Sequence, residues 1–164
     1  MSLEKLTKVR VVGSGLIGAS IGLGLVQRGV LVEMVDADAK AQSLANDLVG
    51  GTQLDDPEVV VLAMPTSQLS LVIAAENALN PNSTFIDVGS VKSEVQLKVE
   101  AISGLSRRFL PTHPMAGREI GGAASARADL FQGRSWIVTP SRDLELESKA
   151  LVLQLINLLG ATPI

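Results

Sequence analysis

The chain has 164 residues, a length that fits one domain, and it contains no cysteine, which excludes disulfides and thiolate metal sites. Its net charge is −3 and its charged residues are scattered, so we expect neither nucleic acid nor an anionic membrane as a partner. The lack of cysteine suits a cytoplasmic location. Apolar residues make up 46% of the chain and aromatic residues only 2%, a composition typical of a parallel sheet with helices on both faces.

Short apolar runs alternate with helical stretches, which is the pattern of βαβ units. The pattern predicts strands at residues 9–12, 30–35, 59–64, 84–88, 107–111 and 135–139. It predicts helices at residues 16–28, 38–48, 68–79, 93–102 and 145–159. Ser93 and Gln96 have the spacing of a capping box at the start of the fourth helix. We therefore expect an α/β fold with a doubly wound, mostly parallel sheet.

Two stretches bear on the boundaries of the domain. Residues 11–27 are uncharged, but glycines interrupt them and they are shorter than the roughly 20 apolar residues that cross a bilayer, so we predict no membrane segment. Residues 161–164 have the character of a further strand, and the sequence stops there. We interpret residues 1–164 as one domain that is truncated within a strand.

A G-x-G-x-x-G motif begins at Gly13, directly after the first predicted strand and at the start of the first predicted helix. Gly13 permits the sharp turn, Gly15 lets a pyrophosphate approach the backbone, and Gly18 lets the helix pack closely on the strand. The amides at the helix start, at Leu16 and Ile17, then face the phosphate charges together with the helix dipole. The motif predicts a Rossmann-type dinucleotide-binding domain. The alternative is an ordinary tight turn between a strand and a helix.

Asp36 stands at the end of the second predicted strand, where the adenine ribose lies in dinucleotide-binding folds. A carboxylate there accepts hydrogen bonds from both ribose hydroxyls and repels a 2′-phosphate, so we expect NAD as the cofactor rather than NADP. The alternative is that Asp36 only caps the next helix. Asp38 can serve as that cap equally well, which leaves Asp36 available for the ribose.

A second group of polar residues follows the later strands, at the edge where ligands of such sheets bind. Met64 and Pro65 end the third predicted strand, and we expect them to flank the cofactor. His113, the only histidine, has a ring pKa near neutrality in its free form and is the candidate general base. Ser90 and Lys92 join it as candidate catalytic residues, because a cation near a helix N-terminus is unfavourable without a functional reason. The alternatives are a structural histidine, Ser90 as a helix cap and Lys92 pointing into water.

Two signatures in this region, Asp-Val-Gly-Ser-Val-Lys at residues 87–92 and His-Pro-Met-Ala-Gly at residues 113–117, resemble the TyrA family. Its members are the prephenate and arogenate dehydrogenases of tyrosine biosynthesis, and the similarity continues through residues 129–140. The resemblance implies an NAD-binding domain followed by an all-helical domain, which is absent from this chain. In the family the helical domain forms a homodimer and supplies basic residues for the substrate's carboxylates.

The resemblance also implies an oxidative decarboxylation of prephenate or arogenate. His113 would draw the proton from the ring hydroxyl while hydride leaves the same carbon for the nicotinamide, and loss of CO2 makes the ring aromatic. Ser90 matches the serine that hydrogen-bonds this histidine and approaches the substrate. Glu119 matches an acidic residue near the substrate entrance. No metal is implied, and we expect the isolated chain to bind NAD without turning over substrate.

Two other functions remain open from the sequence. One is another two-domain Rossmann oxidoreductase, such as a 3-hydroxyacid or imine reductase, although the signature at residues 113–117 argues against it. The other is a catalytically silent NAD-binding or regulatory module, which the missing helical domain favours. The choice between prephenate and arogenate, the oligomeric state and inhibition by tyrosine are likewise left open.

Overall fold

The computed structural model describes residues 4–116 and 122–164, which form one seven-stranded sheet with the order β2-β1-β3-β4-β5-β6-β7. The strands are β1 (Lys8–Val12), β2 (Leu31–Val35), β3 (Val59–Leu62), β4 (Thr84–Asp87), β5 (Phe109–Pro114), β6 (Ser135–Val138) and β7 (Thr162–Pro163). β1 to β5 are parallel, β6 runs antiparallel to β5, and β7 runs parallel to β6. The predicted fold, an α/β domain with a mostly parallel sheet, is confirmed.

Helices cover both faces of this sheet. They are α1 (Leu16–Val26), α2 (Ala39–Val49), α3 (Thr66–Leu79), α4 (Ser93–Glu100) and α5 (Leu146–Leu158). Alternate residues of the fully buried strand β3 point to opposite faces, so that Val59 and Val61 pack with α1, α2 and α5. Val60 and Leu62 pack with α3 and α4 on the other face. Burial on both faces explains why β3 consists of apolar residues without alternation.

The direction of winding reverses between β1 and β3, because β2 lies on one side of β1 and β3 on the other. Such a reversal opens a crevice beyond the carboxyl ends of the two central strands, where ligands bind in doubly wound sheets. The turn after β1 is joined to both neighbours there. The Gly13 amide donates to the Val35 carbonyl and the Ala63 amide donates to the Val12 carbonyl, each at 2.7 Å.

The connection between α2 and β3 is short, and residues 50–58 contain neither helix nor strand.

An ion-pair network lies on the sheet face that α3 partly covers. The Arg10 guanidinium on β1 contacts Glu76 of α3 at 2.9 Å and Glu33 of β2 at 3.0 Å. Burial alone lowers the pKa of Arg10, but the hydrogen bonds and charges of these glutamates raise it above its usual value.

The fifth strand differs from its prediction in a way that matters for the site. Residues 107–111 were predicted as a strand, whereas β5 runs over Phe109–Pro114 and follows a turn of 3-10 helix at Leu105–Arg107. His113 therefore lies within the strand and not after it. The extension comes from antiparallel pairing with β6, in which His113 stands opposite Ile137, and this long-range pairing leaves no local sequence signal.

The predicted capping box at the start of α4 is wrong. The helix begins at Ser93 itself, Lys92 is the residue that precedes it, and no side chain caps it. The side-chain amide of Gln96 instead donates to the Glu100 carboxylate at 2.9 Å, one turn further along the helix.

The strand predicted at the end of the sequence is present as β7. Its residues Thr162 and Pro163 pair with Ser135 and Trp136 of β6. Within the described parts of the chain, none of the helices has the length and apolar character needed to cross a bilayer.

Candidate functional site

The segments singled out in the sequence all begin at one row of residues across the sheet. Strand pairing places Val35, Val12, Leu62, Asp87 and Pro111 side by side on β2, β1, β3, β4 and β5. Four spacings of about 4.8 Å between neighbouring strands make this row roughly 19 Å long. The site is therefore a continuous edge with the glycine turn near one end and the histidine near the other.

Two of the three glycines in the turn after β1 are required by close packing of the backbone. Gly13 has φ +101°, and a Cβ atom added there would lie 2.4 Å from the carbonyl oxygen of Ala63. A Cβ atom at Gly18 would lie 1.9 Å from the carbonyl oxygen of Gly13. These contacts pack the first turn of α1 against the strand ends, as the motif predicts.

Gly15 is different, because a Cβ atom added to it would meet no atom of residues 4–116 or 122–164 within 4 Å. The residue is exposed and immediately precedes α1, whose first turn has no capping side chain. The amides of Leu16 and Ile17 thus begin a helix whose N-terminus is open to the crevice, with the positive end of the helix dipole behind it. Because glycine has no side chain, the space beside its backbone stays open, and a phosphate group can occupy it.

Asp36 follows β2 beside this turn and accepts three hydrogen bonds. Its Oδ2 atom accepts from the Ser14 amide at 2.8 Å and from Ser14 Oγ at 2.7 Å, and its Oδ1 atom accepts from the Asp38 amide at 2.9 Å. Burial raises the pKa of Asp36, but these hydrogen bonds outweigh that effect and hold the pKa below its usual value. Asp36 is therefore a fixed negative charge at neutral pH.

Asp38, and not Asp36, is the residue that caps α2, so the alternative in which Asp36 is only a helix cap is wrong. The Oδ1 atom of Asp38 accepts from the Ala41 amide at 2.8 Å. Asp36 is left facing an open cleft of about 390 Å³, which Ser14, Gly15 and Lys40 also line. Residues 122–124 also line that cleft, and the segment 123–125 contacts α1 and α2.

Met64 and Pro65 follow β3 directly and lie at the same edge. Pro65 is exposed and immediately precedes α3, and its carbonyl accepts the Gln68 amide at 2.9 Å. Met64 is partly buried against the core under α3. Both residues are thus placed where the crevice passes between the glycine turn and the ends of β4 and β5.

Lys92 is held by the ends of β4 and β5. Its ammonium group donates to Oδ2 of Asp87 and to the carbonyl of Thr112. Thr112 returns to the same aspartate, because its hydroxyl donates to the Asp87 carbonyl at 2.6 Å and its amide to Oδ1 at 3.3 Å. The alternative in which Lys92 points into water is wrong. The fully buried Asp87 and Thr112 were missed as its partners, although an aspartate ending an apolar strand was a usable signal.

Burial sets the protonation of this pair. It raises the pKa of Asp87 above its usual value, although the Lys92 charge and the hydrogen bonds oppose the shift. It lowers the pKa of Lys92, with the Asp87 charge opposing the change. The pair is costly to bury and stays in place because each charge compensates the other.

His113 is half-buried on β5, and its Nδ1 atom lies 3.4 Å from the carbonyl oxygen of Val88. A carbonyl only accepts, so this contact favours the tautomer that carries the proton on Nδ1 and leaves Nε2 as an acceptor. Ser90 is exposed two residues after Val88, and within the described residues no hydrogen bond joins it to His113. Glu119 lies outside the described residues.

Metal binding has no support in the described part of the chain, where no group of three or more His, Cys, Asp and Glu residues could hold an ion.

The sequence matches the family model described as prephenate dehydrogenase, nucleotide-binding domain, over residues 21–164. It is 31% identical over 157 residues to the probable prephenate dehydrogenase NovF of Streptomyces niveus, covering 94% of this chain and 43% of that protein. The chain thus spans less than half the length of this curated relative. The matched range of the family model begins after the glycine turn, so the turn is identified by its geometry.

Two solved structures with the same fold cover all or nearly all of this chain. The chain superposes on prephenate dehydrogenase from A. aeolicus in complex with hydroxyphenyl propionate and NAD+ with a TM-score of 0.87 and 24% identity, covering 100% of this chain and 60% of that one. For arogenate dehydrogenase from Synechocystis the TM-score is 0.81 with 27% identity, covering 96% of this chain and 59% of that one.

Alanine at Gly18 should mainly lower the stability of the fold, whereas alanine at Gly15 should mainly weaken ligand binding. Gly18→Ala forces a side chain into the Gly13 carbonyl, and we expect it to lower the free energy of unfolding by about 3 kcal/mol or more. Gly15→Ala should cost about 1 kcal/mol or less, because its Cβ atom enters open space, yet it should abolish binding of ADP. Urea unfolding and calorimetry measure the two effects. Equal stability losses would contradict the packing argument.

Lys92→Met should make stability depend on pH in a specific direction. Without the ammonium group, the pKa of buried Asp87 rises further above its unfolded value. Between those two values the native state binds more protons than the unfolded state, so stability falls as pH rises. We expect a loss of about 3 kcal/mol or more at pH 7 and a smaller loss at pH 4, measured by urea unfolding against the parent chain. Lys98→Met, at an exposed position of α4, is the control. A loss that is the same at both pH values would refute the buried pair.

Proposed function

Since the chain belongs to the prephenate dehydrogenase family as its nucleotide-binding domain, we propose that it holds NAD for the oxidative decarboxylation of prephenate or arogenate in tyrosine biosynthesis. The observation that carries this proposal is the shared edge of the sheet. The open backbone at Gly15 and the charged Asp36 lie toward one end of the row, and His113 lies toward the other. An extended dinucleotide laid along that edge reaches both.

The residues of the glycine turn and of β2 are assigned to the cofactor. The amides of Leu16 and Ile17 and the dipole of α1 hold the pyrophosphate over Gly15. Asp36 binds the adenine ribose, and its charge repels the 2′-phosphate of NADP. Bound NAD supplies the hydride acceptor, and Met64 and Pro65 flank it between the two ends of the edge.

His113 is assigned the role of general base. The tautomer favoured by the Val88 carbonyl leaves Nε2 free to accept the proton of the substrate's ring hydroxyl. Hydride departs from the carbon that bears this hydroxyl. The carboxylate on the ring then leaves as CO2, and the electron pair of the broken bond makes the ring aromatic while the phenolic oxygen recovers its proton.

Ser90 and Lys92 are assigned different roles around this base. Ser90 is exposed at the edge beyond β4 and is available to the substrate. The ammonium group of Lys92 already bonds to Asp87 and Thr112. We therefore assign Lys92 to holding the ends of β4 and β5, which positions His113, and not to contact with the substrate.

The remainder of the active site is assigned to a helical domain, which the family resemblance implies and which would also form a homodimer. Such a domain would supply basic groups for the substrate's carboxylates, beside Glu119. We propose that residues 1–164 bind NAD but need that domain for turnover.

Cofactor choice tests the role of Asp36. We expect calorimetry on this chain to give an affinity for NAD at least about tenfold above that for NADP, a difference of about 1.4 kcal/mol. Asp36→Ala should narrow this ratio by removing the negative charge. Asp38→Ala is the matched control, because it removes the cap of α2 and should lower stability without changing the ratio. Tighter binding of NADP by the parent chain would refute the assignment.

The base is tested in a form of the protein that includes a helical domain, assayed with both prephenate and arogenate. His113→Ala should lower kcat by about 100-fold or more, because a positioned base contributes at least that factor. The affinity for NAD should change little, since the histidine lies away from the turn that holds the pyrophosphate. Weaker NAD binding with normal turnover would make His113 a structural residue.

A further inference from the structure

Ser14 lies where the glycine turn meets Asp36, and both of its donors are committed to that carboxylate. Its amide donates to Oδ2 at 2.8 Å and its hydroxyl donates to the same atom at 2.7 Å. The residue is only 2% exposed, yet it lines the cleft together with Gly15 and Asp36. The side chain therefore stands at the wall of the ribose region and not in the core.

The hydrogen bonds already made by Asp36 limit what it can accept. A carboxylate offers about four lone-pair positions, two on each oxygen. Both positions of Oδ2 are taken by Ser14, and one position of Oδ1 is taken by the Asp38 amide. The described residues leave one position open, whereas the adenine ribose brings two hydroxyl donors. The second hydroxyl needs another acceptor.

The Ser14 hydroxyl has the chemistry of that acceptor. It has given its only hydrogen to Asp36, and no donor in the described part of the chain bonds to Oγ, so both of its lone pairs are available to a ligand. Donation to a charged carboxylate also polarises the hydroxyl and strengthens it as an acceptor. In dinucleotide-binding folds the acidic residue serves the 2′-hydroxyl. The 3′-carbon is closer along the sugar to the pyrophosphate arm, and Ser14 belongs to the turn that holds that arm.

We propose that the adenine ribose is read by two residues, with Asp36 Oδ1 accepting the 2′-hydroxyl and Ser14 Oγ accepting the 3′-hydroxyl. This inference rests on the proposed NAD function and adds to it a second ribose-binding residue. Ser14 also fixes the carboxylate of Asp36 in front of the 2′ position, so the two roles of this serine must be separated experimentally.

The test measures binding of ADP, 2′-deoxy-ADP and 3′-deoxy-ADP to the parent chain and to Ser14→Ala by calorimetry. In the parent chain, removal of either hydroxyl should weaken binding about fivefold, the size of one net hydrogen bond. In Ser14→Ala the 3′-deoxy penalty should vanish, because its acceptor is gone, while the 2′-deoxy penalty should remain. Ser148→Ala is the matched control, since it removes a buried hydroxyl on α5 that accepts from Thr84 at 2.9 Å. Both penalties should persist in it.

Three results would overturn the inference. The first is a parent chain with no 3′-deoxy penalty, and the second is a 3′-deoxy penalty that survives in Ser14→Ala. The third is the loss of both penalties in Ser14→Ala, which would mean that the serine only positions Asp36. The proposed cofactor site itself fails if ADP does not bind or if Asp36→Ala keeps the 2′-deoxy penalty. Failure of the serine alone is thus distinguishable from failure of the site.

Discussion

The close contact between three backbone segments at the switch point determines where the ligand can bind. The turn after β1 lies against the end of β3 on one side and against the first turn of α1 on the other, and neither contact leaves room for a Cβ atom at Gly13 or Gly18. This packing fixes the N-terminus of α1 over the edge of the sheet. A Cβ atom added to Gly15 meets no atom of the described residues within 4 Å, so a ligand's phosphates can approach the backbone of the turn closely there.

The end of the same edge that carries His113 is held by a buried ion pair. Lys92 joins β4 and β5 there, because its ammonium group donates to Asp87 and to the Thr112 carbonyl. Burying two charges costs free energy. The raised pKa of the fully buried Asp87 shows that its partners offset only part of that cost. The hydrogen bonds of Lys92, Asp87 and Thr112 fix the orientation of β5, the strand that carries His113. A fixed strand suits the role proposed for His113, because a general base must meet a defined substrate atom.

Local sequence signals predicted the end of the edge with the glycine turn better than the end with His113. The glycine spacing, the carboxylate after β2 and the helix cap at Asp38 each depend on neighbouring residues, and the structure agrees with them. The hydrogen bond from Lys92, the residue before α4, to Thr112 of β5 joins two different elements, and the extension of β5 through His113 depends on β6. Interactions of this kind arise from tertiary packing and leave no periodic pattern in the sequence.

The hydrogen bonds around Asp36 connect folding to recognition. Its carboxylate is oriented by Ser14 and Asp38 without any ligand, and its amide donates to Gln42 of α2 at 2.6 Å. A group that is already fixed loses little conformational freedom when a ligand arrives, so more of each new hydrogen bond appears as affinity. The same restraint limits adaptation, because a carboxylate held by three donors cannot easily turn away from a 2′-phosphate. In the proposed NAD site, discrimination against NADP therefore depends on what holds Asp36 in place as much as on its charge.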